Sequence, residues 1–309
     1  MKNILICGVV KNAENRLTKN ILFCKKLGSY FDNFKMIVYE NNSTDNTKKI
    51  LKSFTEIEKN MVVLSEDISD EIIKKNSKVW ANTKLTGSDH PCRIEQISNA
   101  RNKVLQEIRK KQYNDYSVVV WIDLDSNGFT IETVKNSINK VLKNDKMVLF
   151  GNSHPRHYDY YALRTDILPK YALGPEVLGE IFWKNANGLH LKLGRLVPVY
   201  SAFNGIGIYP KGAFDKNSYD ILPNNKVKSV YDLILKKNKV LIEQYGEILK
   251  SPCPNTQEGV YDNNSNIYWK YNSGYDNIIL CEHVFLNFNL ISEGYKLYID
   301  PDINYIWGH

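Results

Sequence analysis

Cysteine is scarce and poorly placed for structural work. The five residues, Cys7, Cys24, Cys92, Cys253 and Cys281, form an odd set whose spacings fit no zinc pattern. A disulfide-stapled scaffold and a zinc module are thereby disfavoured. Cys7 and Cys281 sit in apolar runs, where buried thiols are expected, and this favours a reducing compartment. Long apolar stretches are missing too. No segment approaches the ~18 residues of a membrane span, and the N-terminal run that stops at Lys11 is too short for a signal core. The expectation is a cytoplasmic protein. Blocks of one charge are also lacking. The longest basic runs are Arg109-Lys110-Lys111 and Lys236-Lys237, ordinary solvated helix faces, which argues against a nucleic-acid partner. There is no internal repeat and no low-complexity linker.

The 309 residues that remain are ordinary for a soluble globular chain, with 43% hydrophobic and 24% charged positions. Twenty Tyr and eleven Phe offer stacking surfaces, most of which belong in cores and rims. The formal charge of +7 suits a polyanionic ligand such as a nucleotide sugar, or peripheral contact with an anionic membrane surface.

The first half alternates strand and helix. Ile4–Val10 is a continuous apolar run, as a strand covered on both faces requires. Residues 12–30 place Leu17, Ile21, Leu22 and Leu27 at helical spacing. Strands follow at 34–39, 61–64, 118–123 and 147–150, with helices at about 44–59, 93–112 and 131–142. Ser43 or Thr44 is the expected cap of the 44–59 helix, with Asp45 set for its dipole. Such alternation predicts an α/β fold with a mainly parallel, Rossmann-like sheet. The second half is less regular. Residues 152–175 are rich in His and Tyr, and 197–209 read as strand–turn–strand around Asn204-Gly205. Residues 227–249 form an amphipathic helix, 251–276 a long polar loop, 278–292 a helix and 295–299 a last strand. The chain is expected to be one domain, with a nucleotide-binding half (1–150) and an acceptor-binding half (151–309).

Three stretches carry chemistry. Val118–Ile122 runs into Asp123-Leu124-Asp125 and then the turn pair Asn127-Gly128. Two carboxylates at the end of a buried strand are costly as anions without a cation, and a hard divalent ion that also holds a diphosphate would satisfy them. The alternative is a turn or N-cap pair. Glu40 ends the second strand ahead of a polar run, where ligands bind in open α/β sheets. It is placed to meet a base or ribose, or else it is a surface acid. Arg101, in Ser98-Asn99-Ala100-Arg101-Asn102, either forks onto a phosphate or is an exposed helical Arg.

Taken together these stretches resemble the GT-A glycosyltransferases. Residues 40–47, Glu-Asn-Asn-Ser-Thr-Asp-Asn-Thr, are similar to their nucleotide element, Ala100-Arg101-Asn102 to the triplet before their metal strand, and Asp123-Leu124-Asp125 to their Asp-x-Asp motif. A nearer resemblance is to the fungal capsule-associated α-mannosyltransferase family. Residues 39–51, the stretch 197–206, Cys281-Glu282-His283-Val284 and 294–301 carry it. This resemblance implies roles. Val9, Lys11, Glu40 and Asn42 would surround base and ribose. Arg101 and Asp123 would steady the diphosphate, and Asn204 and Gly205 would line the donor sugar. Asp123, Asp125 and His309 would hold Mn²⁺ or Mg²⁺, with His309 otherwise a terminal residue of no special role. Glu282 would be the general base, or simply an acid at a helix N-terminus; His283 is the other candidate base. The implied activity is metal-dependent transfer of a sugar from a UDP- or GDP-linked donor to a hydroxyl of a glycan or glycoconjugate. A sugar-1-phosphate nucleotidyltransferase is the first rival, weakened by the single glycine in Gly8-Val9-Val10-Lys11-Asn12. A non-catalytic nucleotide-sugar or glycan-binding module is the second. The sequon Asn42-Ser43-Thr44 falls in the expected nucleotide pocket, a further hint against a secretory route.

Overall fold

The computed structural model describes residues 2–79, 91–154, 157–167, 169–178, 182, 194–241, 243–244 and 279–306. The elements run in the order β1 (Asn3–Val10), α1 (Glu14–Gly28), β2 (Asn33–Asn41), α2 (Thr47–Ile57), β3 (Met61–Glu66), α3 (Asp70–Asn76), α4 (Pro91–Ile108), β4 (Val118–Ile122), α5 (Ile131–Val141) and β5 (Met147–His154). Two short helical turns, Pro169–Leu173 and Pro175–Leu178, lead to β6 (Val197–Val199), β7 (Ile206–Pro210), α6 (Asn225–Lys237), α7 (Glu282–Ser292) and β8 (Lys296–Ile306). The strands form one mostly parallel sheet in the order β3-β2-β1-β4-β7-β5-β8-β6.

The apolar runs explain why this sheet is buried on both sides. Alternate residues of a strand point to opposite faces. In β1, Leu5 and Cys7 join one core with Val104, Leu105 and Ile108 of α4. Ile4 and Ile6 face the other core, built from Leu17, Ile21 and Cys24 of α1 and Val134 and Ile138 of α5. The strands β3, β2, β1 and β4 are mutually parallel, as the strand–helix alternation requires. Glycine at position 8 is fixed by close approach: a Cβ there would lie 2.9 Å from Leu124 Cδ1 and 3.0 Å from the Ile122 carbonyl.

The second half departs from local expectation. β6 and β7 exist, but they do not pair with each other. β7 runs antiparallel between β4 and β5, whereas β6 joins the edge strand β8. The last strand is longer than its apolar core and continues through Pro301 to Ile306. Its end zips onto the turn after β4. Asn127 and Thr130 donate their N–H groups to the carbonyls of Ile306 and Asn304, and Ile306 donates to Gly128. α6 ends at Lys237 with Asn238 as its C-cap, helical residues resume at 239, the expected end near Leu249 lies outside the described residues, and α7 begins at Glu282. The expected 251–276 loop lies outside the described residues.

Helix α2 starts later than expected, at Thr47. Ser43 and Asp45 serve the neighbouring helix instead. Asn12 N–H donates to Ser43 Oγ (3.1 Å), Ala13 N–H to Thr47 Oγ1 (2.8 Å) and Glu14 N–H to Asp45 Oδ2 (3.1 Å). The polar run after β2 thus satisfies orphan donors at the start of α1. Asp45 Oδ1 also accepts from the N–H of Thr47, the first residue of α2, whose N-cap is Asn46. No described helix is long and apolar enough to cross a membrane.

Candidate active site

At the carboxyl ends of β1 and β4 lies a cavity of about 850 Å³. Val9, Val10, Lys11 and Asn12 form one wall, and Asn41 adds the end of β2. Ile94, Ile97, Ala100 and Arg101 of α4 form another. Asp123 and Asp125 come from the turn after β4, residues 158–161 from the segment after β5, and Cys281, Glu282 and His283 from the start of α7. A crevice at strand ends with convergent charged groups has the size and character of a small-ligand site.

Arg101 is the organising charge. It is buried, with Nε 3.3 Å from Glu282 Oε1 and Nη2 3.6 Å from Asp123 Oδ1. Its guanidinium lies over the rings of Phe203, Trp121 and Tyr219, at 4.8, 5.2 and 5.6 Å from their centroids. Burial works against its charge, but Tyr219, Glu282 and Asp123 outweigh it and hold Arg101 firmly protonated. The neighbouring Asn102 clamps the backbone of Tyr219, donating to its carbonyl (2.8 Å) and accepting from its N–H (2.9 Å). The Ser98–Asn102 cluster therefore splits its work between a charge on the cavity and a packing clamp.

The acidic pair sits on the turn, one residue past the strand, so the two-residue strand period does not orient it. Asp123 is partly buried, and Tyr158 Oη donates to its Oδ2 at 3.2 Å. Burial pushes its carboxyl up to about 7 despite the pull of Arg101, with Asp125 and Asp159 adding to the rise. Asp125 is exposed at the rim. The turn is held from three sides. Asn20 of α1 donates to the carbonyls of Leu124 (2.7 Å) and Ser126 (2.8 Å), and Arg16 donates to the carbonyl of Asp125 (2.9 Å). Asp123 N–H donates to the Gly205 carbonyl, and Tyr305 Oη donates to the Asp123 carbonyl at 3.4 Å. Gly205 has φ +83°, and a Cβ there would lie 2.1 Å from the Tyr305 ring. Only glycine fits both demands.

A divalent cation suits this acid pair by donor chemistry. Hard carboxylate oxygens in a cavity with surplus negative charge, felt in the raised Asp123, favour Mg²⁺ or Mn²⁺. Among the described residues no group of three His, Cys, Asp or Glu side chains is arranged to hold a metal ion alone. Such ions commonly complete their shell with water and substrate phosphate. The expected third ligand, His309, lies outside the described residues.

The other expected site residues divide cleanly. Val9, Lys11, Arg101, Asp123, Asp125 and Glu282 line the cavity, as does His283. Glu40, Asn42, Asn204 and Gly205 do not appear in its lining. Glu40 is fully buried, accepting from Ser43 N–H (2.8 Å) and Ser65 Oγ (2.5 Å), so it closes the end of β2. Asn42, at φ +57°, pairs with both backbone groups of Ile68, and the sequon it begins is a structural turn. Asn204 is fully buried, accepting from Ser153 Oγ at 3.0 Å and donating Nδ2 to the Gly151 carbonyl at 3.3 Å. His283 is stacked on Phe203 at 3.9 Å, and burial with the Arg101 charge holds it neutral.

Sequence reasoning missed Asp159. It lines the cavity, and its Oδ1 and Oδ2 accept from the N–H groups of Ala162 (3.2 Å) and Asn204 (3.3 Å). Burial pushes it up to about 6, helped by Glu282 and opposed by those two bonds and Arg101. The available signal was an acid flanked by His157, Tyr158, Tyr160 and Tyr161 in a segment without periodicity.

Residues 10–232 match the family described as Cryptococcal mannosyltransferase 1. The chain belongs to that family. Its fold is a mostly parallel α/β sheet with flanking helices. No curated protein matches the sequence. Among solved structures it is similar to the mannosyltransferase PcManGT of Pyrobaculum calidifontis, in complex with GDP-Man and Mn²⁺, at 10% identity and TM-score 0.45, covering 98% of this chain and 56% of that one. It is also similar to S. aureus TarS 1-349, at 14% identity and TM-score 0.38, covering 76% and 55%. The glucosyl-3-phosphoglycerate synthase of Mycobacterium tuberculosis, with Mn²⁺, UDP and phosphoglyceric acid, gives 14% and 0.38, covering 78% and 65%. The chain thus spans between half and two thirds of the length of these relatives. Superpositions this loose carry no inference about donor or acceptor.

Proposed function

We propose that this chain is a glycosyltransferase of the GT-A type that uses a nucleoside diphosphate sugar, UDP- or GDP-linked, and delivers the sugar to a hydroxyl of a glycan or glycoconjugate. The whole chain serves as one domain, its first half holding the nucleotide and its second the acceptor. The observation that carries this reading is the meeting of Asp123, Asp125 and Arg101 on one cavity at the ends of β1 and β4. Breaking a sugar–diphosphate bond builds negative charge on the departing phosphate. Mn²⁺ or Mg²⁺ held by Asp123 and Asp125, with His309 as the resemblance implies, would supply Lewis-acid stabilisation of that charge.

The chain's own residues do the remaining work. Val9, Lys11 and Asn12 form a wall beside the acid pair where base and ribose fit. Arg101 fixes the Asp123 carboxylate and presents positive charge toward the diphosphate. A carboxylate on the far wall accepts the proton of the incoming hydroxyl; Glu282 and Asp159 both face the cavity. The test is isothermal titration of the protein with UDP and GDP in the presence of Mn²⁺. Release of nucleoside diphosphate from a panel of UDP- and GDP-sugars is then measured. Micromolar binding of one nucleotide with slow sugar release is the expected result. Failure to bind either nucleotide with metal present would refute the donor assignment.

A further inference from the structure

Among the described residues two carboxylates other than Asp123 and Asp125 face the cavity, and they are not equivalent. Glu282 is committed. It is buried, its Oε1 lies 3.3 Å from Arg101 Nε and 3.6 Å from His283 Nε2, and its Oε2 accepts from Cys281 Sγ at 3.6 Å. That carboxylate is tied to a caged guanidinium, and removing its charge would leave Arg101 buried with less counter-charge. Asp159 is differently placed. Each of its oxygens accepts one backbone N–H, from Ala162 and from Asn204, and no salt bridge is formed with it among the described residues. Each oxygen keeps a lone pair, and the residue is partly exposed to the cavity.

The scaffold under Asp159 is rigid. Asn204, at φ +55°, donates its N–H to Asp159 Oδ2, while its own Oδ1 receives Ser153 Oγ. Gly205, the next residue, accepts from the N–H of Asp123. One turn therefore ties the Asp159 carboxylate to the acid-pair turn. The Asn204-Gly205 turn, which lines no part of the cavity, acquires a role as the strut between two carboxylates that do.

We propose that Asp159 is a catalytic residue of this enzyme, the general base that takes the proton from the acceptor hydroxyl, and that Glu282 is a positioning residue that holds Arg101. The inference rests on the glycosyl-transfer reading above and assigns the base within it. In the step, the acceptor oxygen forms a bond to the anomeric carbon. The bond from that carbon to the phosphate oxygen breaks, its electron pair leaves with the diphosphate, and the acceptor proton passes to the Asp159 carboxylate. Burial, with Glu282 on α7, pushes Asp159 up to about 6, and the N–H bonds from Asn204 and Ala162 and the Arg101 charge on α4 oppose the rise. A base poised near neutrality suits proton abstraction at physiological pH.

The experiment compares Asp159→Asn with Glu282→Gln and the parent enzyme, using hydrolysis of the best UDP- or GDP-sugar, with water as acceptor. Asp159→Asn should keep nucleotide binding with Mn²⁺, seen by titration, and lose kcat by about 10²–10⁴-fold. Glu282→Gln should retain the acid limb of the kcat–pH profile and show its loss mainly in KM. A parent enzyme that binds and hydrolyses donor while Asp159→Asn does so within a factor of three overturns the inference and leaves the function standing. A parent that binds no nucleotide sinks the function itself. Should Asp159→Asn fail to fold, Asp159→Ser decides: nucleotide binding kept with turnover lost supports the assignment, and turnover within a factor of three of the parent overturns it.

Discussion

Asp125 stands exposed at the cavity rim, while its backbone carbonyl is secured by Arg16. Its side chain can therefore be removed at little structural cost, within roughly 0.5 kcal/mol for an exposed site. Asp125→Ala should nevertheless lose at least about 10²-fold in turnover, the usual cost of deleting a preorganised charge stabiliser. Thermal melting and initial rates on the same preparation check both halves, and near-normal rates would remove Asp125 from the metal site. At this scale the sequence spoke clearly where an acid or a base interrupted an apolar period. Asp123, Asp125 and Arg101 stood out for that reason. Glu40 and Asn42 also stood out, yet their polar atoms are spent on Ser43, Ser65 and Ile68. A strand-end polar residue looks the same in sequence whether it meets a ligand or closes a turn. Asp159 was hidden for the opposite reason, since it lies in a segment with no period to interrupt.

The β4 turn, the β7 entry and the end of β8 behave as one element built from distant sequence. Tyr305 on β8 stacks on Tyr158 at 6.0 Å, and its ring fills the space that Gly205 leaves open. Gly205→Ala must drive that ring away and hold a Cβ at positive φ. Overpacking and left-handed strain together should cost about 2–4 kcal/mol. Because Tyr305 and Gly205 both bond the backbone of Asp123, the same change should weaken Mn²⁺ binding in the presence of nucleotide. Denaturant unfolding and metal titration test this, and unchanged metal affinity at reduced stability would show that the turn does not depend on β8. Strands β1 to β4 and their helices were legible because hydrophobic period and length report local structure. The pairing of β6 with β8 and of β7 with β4 and β5 was not. The short loop through Asn204-Gly205 looks like a hairpin, and partners more than fifty residues away leave no mark in a local window.

Across the whole molecule, the cavity gathers residues from position 9 to position 283, so a ligand there ties both halves of the chain to one sheet. The mutually parallel order of the first four strands follows from strand–helix alternation, and with it the crevice where the acid pair lies. The antiparallel insertion of β7 brings Phe203 and the Asn204-Gly205 strut beside that crevice. The coupling between metal and nucleotide follows from the donor count. Two carboxylates with no third described ligand make a weak metal site alone, and a diphosphate beside two acids is repelled until a cation intervenes. Mn²⁺ and nucleoside diphosphate should therefore stabilise the fold together by more than the sum of their separate effects. At ligand near 100 times its Kd, the joint gain is about 2.7 kcal/mol, a rise in Tm of roughly 5 °C for a chain of this size, and EDTA should reverse it. Separate shifts that simply add would mean that metal and diphosphate do not share a site, and the assignment of Asp123 and Asp125 to a diphosphate-bridged ion would fall.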